Sequence, residues 1–181
     1  VGDRCKIAPG DLAVVTGPGI IGLLCALVAR IRGARVVVAG VAADAASRLP
    51  VARELGLETV VVGERPLVQQ LPRRADVLIE ASGAASALAE AFAAVRRGGT
   101  LSLVGMYARP VNWFMTTAVR EELTIYCSYA SSYPNYLQAI ELIRSGQVPL
   151  APLIRRYALE EGPVAFGDAL HKKVLKPLLI P

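Results

Sequence analysis

Hydrophobic positions follow two rhythms along this chain. Short continuous apolar runs, rich in β-branched residues, alternate with longer stretches whose apolar positions recur every three or four residues. The short runs predict strands at 12–16, 34–39, 58–62, 76–80, 100–104 and 122–128. Val36-Val37-Val38 is apolar without a break, as a parallel strand covered on both faces must be. The longer stretches predict helices at 20–32, 84–97 and 133–145, with Gly33 and Gly146 as C-terminal stops. Within 45–55, Pro50 either breaks the stretch or sits in the first turn of a helix beginning near Leu49; the second is favoured, with 49–55 as the regular part, ended by Gly56. The segment 147–181 holds five of the twelve prolines, which limits it to short elements: a brief helix near 162–170 and a final apolar run, 177–180.

Strands alternating with helical stretches of this length define an α/β fold: a Rossmann doubly wound, six-stranded parallel sheet in three αβα layers. The expected strand order is 3-2-1-4-5-6. Its ligand crevice lies at the carboxyl ends of strands 1 and 4, where the order reverses.

Composition narrows the function classes. The 181 residues are expected to form one dinucleotide-binding domain, 1–181, with a lead-in at 1–10 and a tail at 147–181. Although 54% of residues are hydrophobic, no apolar run reaches the ~18 residues of a membrane span, and Asp3, Arg4 and Lys6 precede Pro9-Gly10 instead of a signal-type apolar core. A soluble, cytoplasmic protein is expected. The formal charge of +5 is scattered and interleaved with acids, as in Arg53-Glu54 and Arg120-Glu121, which points to a solvated surface with some preference for anions and not to nucleic acid. Cys5, Cys25 and Cys127 make no C-x-x-C pair, and Cys25 falls in an apolar helix as a small hydrophobe. The single histidine, His171, sits in the tail, so neither a metal-ligand set nor a catalytic triad is available.

The chemistry is concentrated where the first strand meets Gly17-Pro-Gly19-Ile-Ile-Gly22. Gly-x-Gly-x-x-Gly between a strand and a helix is the turn that receives a dinucleotide pyrophosphate. Gly17 allows the tight turn, Gly19 lets phosphates approach the backbone, and Gly22 lets the helix lie close to its strand. The N–H groups of Ile20 and Ile21 face the anion, and the helix dipole adds about 0.3–1 kcal/mol.

Around this loop the ordered segments Pro9-Gly10-Asp11, Thr16–Gly22, Ala52-Arg-Glu-Leu-Gly56, Asp76-Val-Leu-Ile-Glu-Ala-Ser-Gly83, Arg97-Gly-Gly-Thr-Leu-Ser-Leu-Val-Gly105, Arg120-Glu-Glu-Leu-Thr-Ile125 and Lys176-Pro-Leu-Leu-Ile180 follow one another. Together they resemble the nucleotide-binding domain of the medium-chain, zinc-dependent alcohol dehydrogenase superfamily, and within it the sorbitol and threonine dehydrogenases. The resemblance implies NAD or NADP as hydride carrier and an N-terminal catalytic domain that carries the zinc ligands. Neither the catalytic nor the structural zinc ligands of that family are found in this chain. It therefore reads as a cofactor-binding piece, inactive by itself, whose tail would contact that catalytic domain.

The resemblance also implies individual roles. Ala81, Ser82 and Gly83 would line the crevice beside ribose and pyrophosphate, with Ser82 also available as a helix cap. Val104, Gly105 and Met106 would adjoin the nicotinamide. Lys176 matches a basic position that reaches the pyrophosphate, and is equally readable as a solvated lysine. Gly40 stands where an acid usually accepts hydrogen bonds from the NAD ribose, which leans the cofactor towards NADP. Arg48 matches a basic position beside that ribose and is either a partner for a 2′-phosphate or a solvated helix-terminal arginine. Asp44 is either a substitute acid or a cap. The strand at 122–128 resembles the edge through which the family forms homodimers, with Trp113 and Phe114 as core or dimer contacts. Two other readings stay open: a standalone NAD(P)-binding regulatory module, and an adenosylmethionine-dependent methyltransferase, which the loop spacing disfavours.

Overall fold

A computed structural model describes residues 4–181; residues 1–3 of the lead-in lie outside the described residues. In chain order the elements are β1 (Leu12–Thr16), α1 (Ile20–Ile31), β2 (Arg35–Val41), α2 (Arg48–Glu54), β3 (Glu58–Val62), β4 (Ala75–Glu80), α3 (Ala85–Ala94), β5 (Val95–Leu103), α4 (Met115–Arg120), β6 (Thr124–Cys127), α5 (Tyr133–Arg144), β7 (Ile154–Ala158), α6 (Gly162–Leu170) and β8 (Lys176–Ile180). The first six strands form a sheet in the order β3-β2-β1-β4-β5-β6, every neighbouring pair parallel. The expected doubly wound topology is therefore the observed one.

Alternation along β1 divides the core. Leu12 and Val14 pack with Leu78, Leu101 and the Leu88 and Phe92 side chains of α3 on one face. Ala13 and Val15 pack on the other, with Leu23 and Leu27 of α1 and Leu49 of α2. Leu23, Leu27 and Leu49 are fully buried, and each contributes about 1.5–3 kcal/mol by leaving water. Pro50 sits in the first turn of α2, where its missing N–H costs nothing.

Two carboxylates knit the sheet from opposite ends. At the amino end, Asp76 accepts a hydrogen bond from the Leu12 amide at 2.8 Å and pairs with Arg73 and Arg96, both at 2.6 Å. Partial burial opposes its charge, but Arg96, the Leu12 amide and Arg73 together hold its carboxyl below the usual aspartate range.

The structure differs from the sequence expectation in three places. The helix expected over 84–97 ends at Ala94, because Val95 already pairs with Ala75; residues 96–99 then bulge opposite Asp76 before Thr100 pairs with Val77. The side chains of Arg96 and Arg97 hold that bulge, the second through Glu122 at 2.9 Å. The unpredicted α4 precedes β6 and delays it to Thr124, with Glu122 turning the chain at φ 51°. In the tail, the final apolar run becomes β8 and pairs in parallel with an unexpected β7, so that β7, α6 and β8 make a small lobe with its own two-stranded sheet. Val148 and Leu153 tie this lobe into the core beside α1 and α2.

Candidate dinucleotide site

The crevice begins where β1 runs out. Gly17 donates to the Ala39 carbonyl at 3.0 Å and Ala81 donates to the Thr16 carbonyl at 2.9 Å, so the ends of β2, β1 and β4 are bound side by side. Gly17 has φ +92°, and a Cβ there would lie 2.8 Å from the Ser82 backbone. A Cβ on Gly22 would stand 2.0 Å from the Gly17 carbonyl oxygen, so this glycine lets α1 start directly over the loop. Gly19 is the exception: a Cβ there would meet nothing within 4 Å. Its backbone faces open space at the start of α1. The first N–H groups of that helix, Ile20, Ile21 and Gly22, have no intrahelical acceptor by geometry, and no side chain caps them. An open backbone face with converging free donors is the shape and charge a pyrophosphate needs.

At the ends of β4 and β5 the organising residue is Glu80, which sequence reading did not single out. Its side chain is fully buried. The carboxylate accepts from the Ser82 amide at 2.7 Å, the Ser82 hydroxyl at 2.5 Å, the Gly83 amide at 3.1 Å and the Tyr107 hydroxyl at 2.5 Å. Its own carbonyl accepts from Val104 and Gly105. Burial, and then the adjoining Glu80, pushes the Tyr107 hydroxyl pKa up. Gly105 presses so close that a Cβ would be 2.3 Å from the Gly83 amide nitrogen and 2.5 Å from the Glu80 carboxylate. Ala81, Ser82, Gly83, Val104, Gly105 and Met106 are thus brought together, with Met106 strongly exposed at the rim. The Ser82 hydroxyl also accepts from the Ala84 amide at 3.1 Å, one residue before α3, so it braces the loop as well as lining it. Glu80 escaped sequence reading because an acid inside an apolar strand shows its importance only when its acceptors meet donors from two loops.

The end of β2 is built differently. Gly40 lies within the strand, paired with Val61, and a Cβ there would be 3.0 Å from the Pro18 ring, 3.1 Å from the Asp44 Cβ and 3.1 Å from Leu49. A side chain at 40 would therefore be crowded, since Asp44 comes up from the following 3₁₀ turn against the same face, and the neighbours would have to give way to admit it. Asp44 accepts from the Val41 amide at 3.0 Å and pairs with Arg48 at 3.6 Å. Arg48 is 22% exposed and its Nε is buried without a partner. Lys176 stands apart from this cluster. It begins β8, paired in register with Ile154, and is exposed; its side chain makes no hydrogen bond or ion pair among the described residues.

The remaining candidates fall outside the crevice. Burial in α1 pushes the Cys25 thiol up to about 11, which suits a packing residue and not a nucleophile. Cys5, Cys25 and Cys127 are unpaired, and no group of three His, Cys, Asp or Glu among the described residues is arranged to hold a metal. His171 is exposed at the end of α6. Trp113 packs against Phe92 with ring centroids 4.9 Å apart, while Phe114 is 74% exposed. No helix among the described residues is long and apolar enough to cross a membrane.

The model of a known family, zinc-binding dehydrogenase, matches residues 21–145. The chain belongs to that family. It is 31% identical over 186 residues to a sorbitol dehydrogenase from Halalkalibacterium halodurans, covering 98% of this chain and 54% of the relative. It is 38% identical over 158 residues to a putative D-xylulose reductase from Agrobacterium fabrum, covering 83% and 44%. Among solved structures, a putative zinc-binding dehydrogenase from Sinorhizobium meliloti bound to NADP superposes with a TM-score of 0.89 at 26% identity, covering 99% of this chain and 55% of that one. An alcohol dehydrogenase from E. coli complexed with NADH shares the fold, with a TM-score of 0.89 at 20% identity and coverage of 100% and 55%. The chain spans about half the length of the relatives it matches.

Proposed function

We propose that this chain is the NAD(P)-binding half of a zinc-dependent alcohol or polyol dehydrogenase. The observation that carries the reading is the open backbone face of Gly19 above the free N–H groups of α1, at the point where the sheet order reverses between β1 and β4. The dinucleotide, when bound, gives or takes a hydride at its nicotinamide ring. This chain's residues bind and orient it. Gly17, Gly19, Ile20, Ile21 and Gly22 receive the pyrophosphate. Ala81, Ser82 and Gly83 flank the ribose, held in place by Glu80. Val104, Gly105 and Met106 form the shelf for the nicotinamide. Gly40 and Arg48 adjoin the adenosine ribose, and Lys176 approaches the pyrophosphate from the tail.

The described residues hold no group of three His, Cys, Asp or Glu arranged for zinc. The catalytic zinc belongs to the N-terminal half that relatives of twice this length carry, and this half alone holds cofactor without turning over alcohol. The whole enzyme works in the cytoplasm, in keeping with unpaired cysteines. β6 is the last strand of the sheet, and two copies pair there into a homodimer with a continuous sheet.

Calorimetric titration of the chain with NAD and NADP tests the reading. Saturable binding of at least one supports it. Binding of adenosylmethionine in place of both overturns it. Oxidation of sorbitol or xylitol by this chain alone, with zinc and cofactor supplied, refutes the division of labour.

A further inference from the structure

The tail, expected to meet another domain and to bring Lys176 towards the pyrophosphate, also closes a cleft against this one. α6 ends in a left-handed turn at Lys172, φ 59°, where the amides of His171, Lys172 and Lys173 bond back to Gly167, Ala169 and Asp168. That turn, together with the start of β7, faces the first turn of α2 across a cleft of about 190 Å³. Four cations line it: Arg48 from α2, and Arg155, Lys172 and Lys173 from the lobe; no carboxylate does.

The charges are only half balanced. Arg48 has Asp44 at 3.6 Å and Lys173 has Asp168 at 3.3 Å, neither carboxylate lining the cleft. Arg155 lies over the Tyr157 ring at 5.1 Å and shares the Asp168 carboxylate with Lys173, acting on it through space. The buried Nε of Arg48 has no acceptor at all. A buried guanidinium N–H without a partner is costly, so the Arg48 head group is not fully satisfied by the protein alone.

A chain of contacts joins the cleft to the dinucleotide crevice. Arg48 pairs with Asp44; Asp44 and the ring of Pro18 crowd the same face of Gly40; and Pro18 belongs to the pyrophosphate loop. The Asp44–Arg48 pair, at the entry to α2, therefore links the end of β2 to the cationic cleft.

Resting on the dinucleotide reading above, we propose that this cleft receives the 2′-phosphate of NADP, with Arg155 and Lys172 of the tail lobe joining Arg48 as its ligands. Guanidinium and ammonium donors on two sides match a phosphate monoester dianion. The tail lobe is then a specificity element for the cofactor, and not only a contact for another domain.

The test titrates the 181-residue chain with NAD, NADP and inorganic phosphate. It compares the wild type with the double variant Arg155→Gln, Lys172→Asn; asparagine tolerates the left-handed turn. Arg156→Gln, an exposed neighbour outside the cleft, controls for net charge. The wild type is expected to bind NADP about tenfold or more tighter than NAD. The double variant should bring that ratio close to one with NAD affinity kept, Arg156→Gln should leave it, and phosphate should compete with NADP only. A ratio that survives the double variant overturns the proposal, as does a wild type that prefers NAD. Phosphate binding without NADP preference marks an adventitious ion only and overturns it too. If neither dinucleotide binds, the cofactor reading itself has failed and this proposal falls with it; if NAD binds normally, only the phosphate assignment is at stake. Thermal melting of each variant confirms that it is folded before its affinities are compared.

Discussion

The two ends of the crevice each have a buried carboxylate, and they use it in opposite ways. Glu80, between β4 and β5, is surrounded by donors from its own neighbourhood: two amides and two hydroxyls. Asp44, at the end of β2, has one amide and an arginine at 3.6 Å, and that arginine keeps an unmatched N–H. The first end is satisfied without a ligand and therefore rigid. The second leaves cationic capacity unspent. On the proposed dinucleotide reading, the satisfied carboxylate would stand at the hydride-transfer end, where geometry governs rate, and the unspent charge at the adenosine end, where cofactors differ by one phosphate.

Four measurements would break or sharpen that contrast. The largest effect is expected from Gly22→Ala. Its Cβ would sit 2.0 Å from a carbonyl oxygen, so α1 must shift off β1, at a cost of about 4 kcal/mol in chemical denaturation. Next comes Glu80→Ala, which strands buried donors and should cost about 3 kcal/mol, lower the Tyr107 hydroxyl pKa and weaken dinucleotide binding. If its stability is unchanged, the rigid end is misread.

Asp76→Asn is smaller, about 1 kcal/mol at neutral pH. The folded-state pKa of Asp76 is depressed, so its contribution is present above the unfolded value near 3.9 and lost as pH falls through the folded value. The stability gap between wild type and variant should be flat above about pH 5 and shrink below about pH 4; a gap that widens in acid contradicts the assignment. Gly19→Ala should change stability by less than about 0.5 kcal/mol because its Cβ meets open space, while dinucleotide affinity falls at least about tenfold. Normal affinity in that variant would move the pyrophosphate elsewhere.

Much of this was readable in the residues alone. β-branched runs separated by helical periods defined six parallel strands, and the glycine spacing located the crevice, because both depend on local conformational limits. Pro50 placed the start of α2 within a residue. The misses share a cause. Val95 belongs to a strand and not to α3 because Ala75 pairs with it, and β7 exists because β8 returns beside it. Glu80 looked like one more strand residue until two loops supplied its donors. Arg155 and Lys172 reached the same cleft as Arg48 only when the tail folded back, since long-range proximity leaves no local pattern.

By itself, then, the sequence determined the fold class, the strand order and the glycine loop at the point where that order reverses, through periodicity and the steric needs of glycine. Tertiary structure decided what crowds Gly40, what Glu80 holds, and which charges face one another. Those depend on side chains meeting across the fold, where burial turns a lone carboxylate or an unmatched guanidinium into a strong constraint.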